Sequence, residues 1–144
     1  MKIGNFSYPL PANEPVLSYA PGTKERDELK KALKVLKSKK MDVPMYIGSE
    51  EIRTDDKIEI RAPHEKKFVL GTYNQGTAAH VKKAINEALK AKEKWAALSW
   101  ENRANIFLKA ADLIATKYRA EMCATTMLGQ AKMLSRQKLM LHAN

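Results

Sequence analysis

The chain has 144 residues, the length of one ordinary domain, and with 44% hydrophobic and 29% charged residues it can bury a core. Its 26 lysines and arginines outnumber 16 acids, for a net charge of +10. One cysteine excludes an internal disulfide, no Cys/His spacing marks a metal site, and no apolar run reaches the ~18–20 residues of a membrane span. Residues 1–6 also lack the apolar stretch of a secretory signal, so a reducing, cytoplasmic setting is expected.

Residues 1–22 hold Pro9, Pro11, Pro15 and Pro21 and show no helical period. Proline fixes φ and removes a donor, so this is an extended arm, and Phe6, Tyr8, Leu10, Val16, Leu17 and Tyr19 predict that it docks. Thr23 is placed to cap a helix over residues 23–39, in which Leu29, Ala32, Leu33 and Leu36 follow the i, i+3, i+4, i+7 rule.

From residue 43 to 72 the period changes to two. Met45 and Ile47 lead into a turn at Gly48-Ser49, and Ile58 and Ile60 alternate with Lys57, Glu59 and Arg61. Ala62-Pro63-His64 breaks the run before Phe68-Val69-Leu70. The pattern predicts short antiparallel strands, too small a sheet to stand without a covering layer.

Two long helices follow. Thr77 caps the first, with the stripe Val81, Ile85, Ala88, Leu89 and Trp95. Ser99 caps the second, Glu101 suits its positive amino end, and its stripe of Phe107, Ala110, Ala111, Ile114 and Tyr118 runs on to Met122, Cys123 and Met127. Gly129 is placed to end it. The expected unit is α+β: three amphipathic helices plus short antiparallel strands. Three apolar stripes with no partner layer should leave apolar surface exposed.

Chemistry-bearing residues are sparse. The glycines at 4, 22, 48, 71, 76 and 129 form no G-x-G loop for phosphates. Cys123 lies mid-helix among apolar neighbours and reads as a core residue, not a nucleophile. His64, His80 and His142 stand far apart in sequence, the first two read as solvated, and Asp55-Asp56 reads as a turn. Trp95 and Trp100 bracket the joint between the long helices and are read as packing it. The basic residues are dispersed, some beside acids, as Lys90 is beside Glu87, and aromatics at 7% do not interleave with them. A solvated helix face fits them better than a nucleic-acid site. The residues themselves assign no catalytic, cofactor-binding or metal-ligating position.

The order of segments carries more. Asn13-Glu14-Pro15-Val16-Leu17 and Gly22-Thr23-Lys24-Glu25-Arg26-Asp27-Glu28-Leu29-Lys30-Lys31-Ala32-Leu33 resemble the amino-terminal part of the delta-1-pyrroline-5-carboxylate dehydrogenases, a branch of the aldehyde dehydrogenase superfamily. Val81-Lys82-Lys83-Ala84-Ile85-Asn86-Glu87-Ala88-Leu89 resembles the superfamily's first long helix, and Arg103-Ala104-Asn105-Ile106-Phe107-Leu108-Lys109-Ala110-Ala111-Asp112-Leu113 its second. Thr126-Met127-Leu128-Gly129-Gln130 resembles the branch's helix ending. The likeness covers residues 13–130.

The resemblance implies an α/β aldehyde dehydrogenase fold with a Rossmann-type cofactor domain. It also implies oxidation of L-glutamate gamma-semialdehyde to L-glutamate with NAD in proline degradation, by an enzyme that is a homo-oligomer at full length. In that chemistry a cysteine thiolate attacks the aldehyde, hydride passes to nicotinamide, and a glutamate-activated water hydrolyses the thioester. In the family those residues and the cofactor loop lie beyond the matching part, and Cys123 does not match the nucleophile's motif. Residues 23–130 are thus expected to be the amino-terminal portion of the aldehyde dehydrogenase domain, inactive alone and bound to neither membrane nor nucleic acid. The competing expectations are a free-standing basic helical binding or scaffold protein, and an enzyme completed by a second chain.

Residues 131–144 depart from the branch and hold Lys132, Arg136 and Lys138 but no acid. Back-translated with suitably chosen codons and read one base out of register, they give Lys-Asn-Ala-Phe-Gln-Ala-Glu-Ile-Asp-Ala-Ala-Cys-Glu, close to the branch's continuation. A one-base frameshift near Gln130 is the expectation, against a naturally divergent tail. Sequencing the locus should reveal a dehydrogenase-like frame beyond Asn144; an unrelated downstream sequence rejects the frameshift.

Overall fold

A computed structural model describes residues 13–132. In chain order they form α1 (Lys24–Ser38), β1 (Met41–Val43), β2 (Met45–Ile47), β3 (Glu50–Ile52), β4 (Lys57–Ala62), β5 (Glu65–Asn74), α2 (Ala78–Ala97), α3 (Trp100–Ala115) and α4 (Arg119–Gln130). The α+β class expected from the sequence stands. The tail expectation, like Phe6, Tyr8, Leu10 and His142, lies outside the described residues.

The leucine spacing of α1 turns Leu29 into the core, with Ala32, Leu33 and Leu36 half-buried beside it. Thr23 does not cap this helix: its hydroxyl donates to the Ala20 carbonyl at 2.9 Å instead. The proline preceding Gly22 bends the chain back at this point, so the side chain meets the turn and not the first helical N–H groups.

Strands β4 and β5 make an antiparallel hairpin whose turn is Pro63-His64, where the alternation breaks. Gly48-Ser49 likewise turns β2 into antiparallel β3, with Gly48 at φ 62°. The expectation of antiparallel pairing fails for β1, which runs parallel to β5 with Met41 opposite Gly71. Three residues carry too little pattern to reveal a parallel partner 30 positions away. The register demands glycine: a Cβ on Gly71 would stand 2.1 Å from the Met41 carbonyl oxygen.

The second long helix is two helices, a correction to the single one expected. At Thr116 (φ −114°, ψ −85°) the ladder stops; the Thr116 hydroxyl donates to Asp112 O at 2.7 Å, and Tyr118 N reaches back to Leu113 O at 2.9 Å. The apolar stripe runs straight through this break, so periodicity cannot see it. Packing decides, because α4 lies along α1 whereas α3 departs from it. Helix α4 ends at Gln130, and Ala131, not Gly129, takes the left-handed position at φ 52°.

Where α1 and α4 meet, Tyr19, Leu29, Cys123 and Ala124 form the buried cluster, with Leu17 and Met127 against it. The arm therefore docks, but through Tyr19 and Leu17, while Val16 stays exposed. Tyr19 is buried at φ 52°, a backbone state costing about 1 kcal/mol for a non-glycine residue. Its surroundings hold it there. The phenol oxygen accepts from Arg119 Nε at 3.2 Å, the carbonyl accepts from Arg26 Nη1 at 3.0 Å, and the N–H donates to Glu25 Oε1 at 3.4 Å. Arg119 also pairs with Glu14, each side chain only 14% exposed. Burial, then the Cys123 thiol 3.9 Å away, push the Tyr19 phenol above its usual range, so it stays protonated.

Arg119→Met removes both the pair with Glu14 and the hydrogen bond to the Tyr19 phenol. The arm's opening free energy should fall by about 1–3 kcal/mol, read as cleavage of residues 13–22 in native-state proteolysis before α1 or α4 is cut.

Candidate functional site

Two places gather side chains: a polar hub on the sheet and the clefts between sheet and helices. At the hub, Asp42 on β1 accepts from Arg53 Nη1 at 2.7 Å, Lys57 Nζ at 2.9 Å, Asn74 Nδ2 at 2.9 Å and Thr72 Oγ1 at 3.3 Å. Asn74 is buried and satisfied: its amide also donates to Val43 O at 2.9 Å and accepts from Thr54 N at 2.7 Å. Arg53 turns its remaining face to Glu51 Oε1. Lys57 first, then Arg53, holds the Asp42 carboxyl far below the usual carboxylate range.

A carboxylate with four donors has no lone pair left for a substrate proton. The hub is a joint, tying β1 to β5, to β4 and to the segment after β3. Neither Asp42 nor Asn74 stood out in the sequence, because a three-residue strand bounded by Lys40 and Pro44 shows no period.

The clefts are apolar. One of about 200 Å³ is lined mainly by Leu36, Met41, Val43, Ile60, Leu70 and Leu128, with Glu121 and Thr125 as its polar members. Another of about 280 Å³ lies between Leu33, Met127 and Leu128, with Lys37 and His64 lining it. Neither pairs a nucleophile with a base. His64 is exposed beside this second cleft, and Asp55-Asp56 forms the expected bend, the Asp56 carbonyl accepting from Gln75 N at 2.8 Å. His80 is not simply solvated, which corrects the reading above: its Nδ1 accepts from Thr77 N at 3.1 Å and completes the cap of α2. Ser99 Oγ accepts from Asn102 N at 3.3 Å and caps α3 as expected. Trp95 packs edge to face on Phe107 at 6.4 Å, so the joint reading holds for it. Cys123 is buried in the α1–α4 cluster.

The described residues do not fit NAD. A dinucleotide's phosphates need glycine-rich backbone at an uncovered helix start. The start of α2 is occupied by the His80 ring and that of α3 carries Glu101, which repels an anion. Gly71 serves strand packing and Gly48 a hairpin turn. Among the described residues no three His, Cys, Asp or Glu side chains gather to hold a metal, and no helix is long and apolar enough to cross a membrane.

Asp42 gives the hub a pH dependence of known sign. Its carboxyl has a lower pKa folded than unfolded, so the joint's stability is present above the unfolded value of ~3.9 and is lost as the pH falls below it. Protection of the β1 and β5 amides against exchange, relative to their intrinsic rates at the same pH, should fall from about pH 4 downward, and Asp42→Asn should flatten that profile.

The aldehyde dehydrogenase family profile matches residues 51–142. The delta-1-pyrroline-5-carboxylate dehydrogenase of Agaricus bisporus is 43% identical over 132 residues, which are 91% of this chain and 24% of that protein. The mitochondrial enzyme of the same name from Dictyostelium discoideum is 42% identical over 126 residues, 86% of this chain and 22% of that one. The Mycobacterium tuberculosis delta-pyrroline-5-carboxylate dehydrogenase, solved with NAD and cobalamin bound, superposes with a TM-score of 0.86 at 40% identity, over 90% of this chain and 25% of its own. The chain thus spans about a quarter of the relatives it matches. With the family profile matching well over half its length, the chain belongs to the aldehyde dehydrogenase family.

Proposed function

We propose that this chain is the amino-terminal portion of an NAD-dependent dehydrogenase that oxidises L-glutamate gamma-semialdehyde, the open form of 1-pyrroline-5-carboxylate, to L-glutamate. The observation that carries the reading is the 0.86 TM-score at 40% identity to a delta-pyrroline-5-carboxylate dehydrogenase bound with NAD. The names and identities of the Agaricus and Dictyostelium relatives support the same substrate.

Residues 23–130 supply scaffold in this reading, residues 13–22 the described part of the arm that fastens to it, and residues 131–144 an atypical tail, although the family profile runs on to residue 142. We assign the chain no catalytic, cofactor-binding or metal-ligating residue. The nucleophile, the water-activating carboxylate and the NAD site belong to the other part of the enzyme, which forms a homo-oligomer. What this chain's own residues do is positional: Asp42 locks the sheet, and Tyr19 with Arg119 fastens the arm across α1 and α4. A cytoplasmic setting belongs to the same proposal. The Dictyostelium relative is named mitochondrial, and imaging of the tagged chain separates the two compartments.

The decisive assay is NADH formation at 340 nm from glutamate semialdehyde and NAD. The 144-residue chain alone should give none. A chimaera of the Mycobacterium tuberculosis enzyme, with its matching segment replaced by residues 13–132, should turn over within about tenfold of its parent, a barrier change of ~1.4 kcal/mol. Turnover by the chain alone, or a soluble chimaera that binds NAD and does nothing, defeats the reading.

A further inference from the structure

Helix α2 begins with an imidazole where a capping box ordinarily has Glu or Gln, the third helical residue that accepts from the N-cap amide. Here the N-cap is Thr77 and the third residue is His80, whose Nδ1 accepts from Thr77 N at 3.1 Å. A backbone N–H can only donate, so Nδ1 must keep its lone pair and the ring carries its proton on Nε2. Glu or Gln would hold this bond at any pH near neutrality. Histidine holds it only while neutral.

A second proton reverses the contact. Nδ1 then bears a hydrogen, and the Thr77 N–H faces a donor where it had an acceptor. The Thr77 hydroxyl oxygen, 3.2 Å from the same nitrogen, can take the new hydrogen, but the Thr77 N–H stays orphaned. The added charge also stands at the positive end of the helix macrodipole. The first turn of α2 has no acid, and the next charged residues along it, Lys82 and Lys83, are cations. On the β2–β3 hairpin beneath α2, Glu50 is paired with Lys83, and Glu51 is held by Arg53 and Tyr46. Glu87, two turns along, lies against Gly48 and pairs with Lys90. The Asp55-Asp56 bend reaches the chain before the helix by the Asp56 carbonyl, which accepts from Gln75 N.

We propose that His80 makes the start of α2 a proton-operated latch, closed while the imidazole is neutral and released when it is protonated. Release frees the first turn, which begins beside Met45 of β2: a Cβ on Gly76 would stand 3.1 Å from the Met45 sulfur. The Lys83–Glu50 pair, one turn further on, keeps the rest of the helix seated. Latch stability is therefore present at the upper end of the histidine range and is lost as the pH falls, well above the window of the Asp42 joint.

Amide exchange of the 144-residue chain tests the latch. Protection of Thr77 N and of Val81 N, which donates to the Thr77 carbonyl, is measured relative to intrinsic rates at each pH. It should fall about fivefold between about pH 8 and pH 5, the loss expected for one helix cap. His80→Gln keeps an acceptor that does not titrate and should give a flat profile, whereas His64→Gln should leave the fall in place. Nitrogen-15 spectra of the unsubstituted chain at about pH 8 should show His80 Nδ1 as a bare ring nitrogen with the proton on Nε2. A proton on Nδ1 at that pH, or a flat profile in the unsubstituted chain, overturns the latch without any variant having to fold. The same fall in His80→Gln overturns it as well.

Discussion

Asp42 stands at the point where three separate pieces of chain must agree. Its carboxylate gathers donors from the segment after β3, from β4 and from β5, and it is the β1 member of a parallel pair only three residues long. Such a strand contributes few ladder bonds of its own. What keeps it in register is a charge held among two cations and two neutral donors, with buried Asn74 also bonding the carbonyl of Val43. The exposed ion pairs elsewhere are worth little by comparison. Without this joint, β1 and the arm-bearing helix before it lose their fixed relation to the hairpins.

The second constraint works on the other side of α1. Arm, α1 and α4 converge on Tyr19, whose backbone sits in a left-handed state held by its hydrogen-bonded neighbours Glu25, Arg26, Arg119 and Cys123. Sheet and arm are thus fixed independently, one by a carboxylate and the other by a phenol and a guanidinium. Between them lie clefts that are apolar and half open. The molecule is well determined where its own parts meet and undetermined on the outer faces of α2 and α3, where large apolar side chains face water.

Much of this was legible in the sequence, and what was not has physical causes. Periodic stripes placed α1, α2 and the start of α3, and the turn chemistry of Gly48-Ser49 and Pro63-His64 placed both hairpins, because these signals are local. The break at Thr116 was hidden because the stripe Ile114, Tyr118, Met122 continues through it. The parallel β1–β5 pair was hidden because a partner 30 residues away leaves no local trace, and Gly71 spoke for a close approach only once Met41 was seen opposite. Thr23 carried a capping residue type into a turn that used it otherwise. His80 looked solvated because a histidine closing a helix cap has no sequence mark to separate it from one in water. Of the candidate site, the hub stayed hidden, since a single aspartate between Met41 and Val43 shows neither its charge partners nor its burial. The segment order pointed to the family where the single residues could not.

The Tyr19–Cys123 contact spans 104 positions of chain. Closing so long a loop costs entropy that grows with its length, and nothing local repays it in advance. During synthesis at roughly 5–20 residues per second, the arm therefore emerges several seconds before α4 exists to receive it. For that interval Leu17, Tyr19 and the apolar side of α1 are bare, and they are held apart from other chains only by the prolines that keep the arm extended and by the lysine-rich outer side of α1. The basic character of this helix then has a use that the finished fold does not display: like charges on neighbouring nascent chains repel while the clasp is still waiting for its second half.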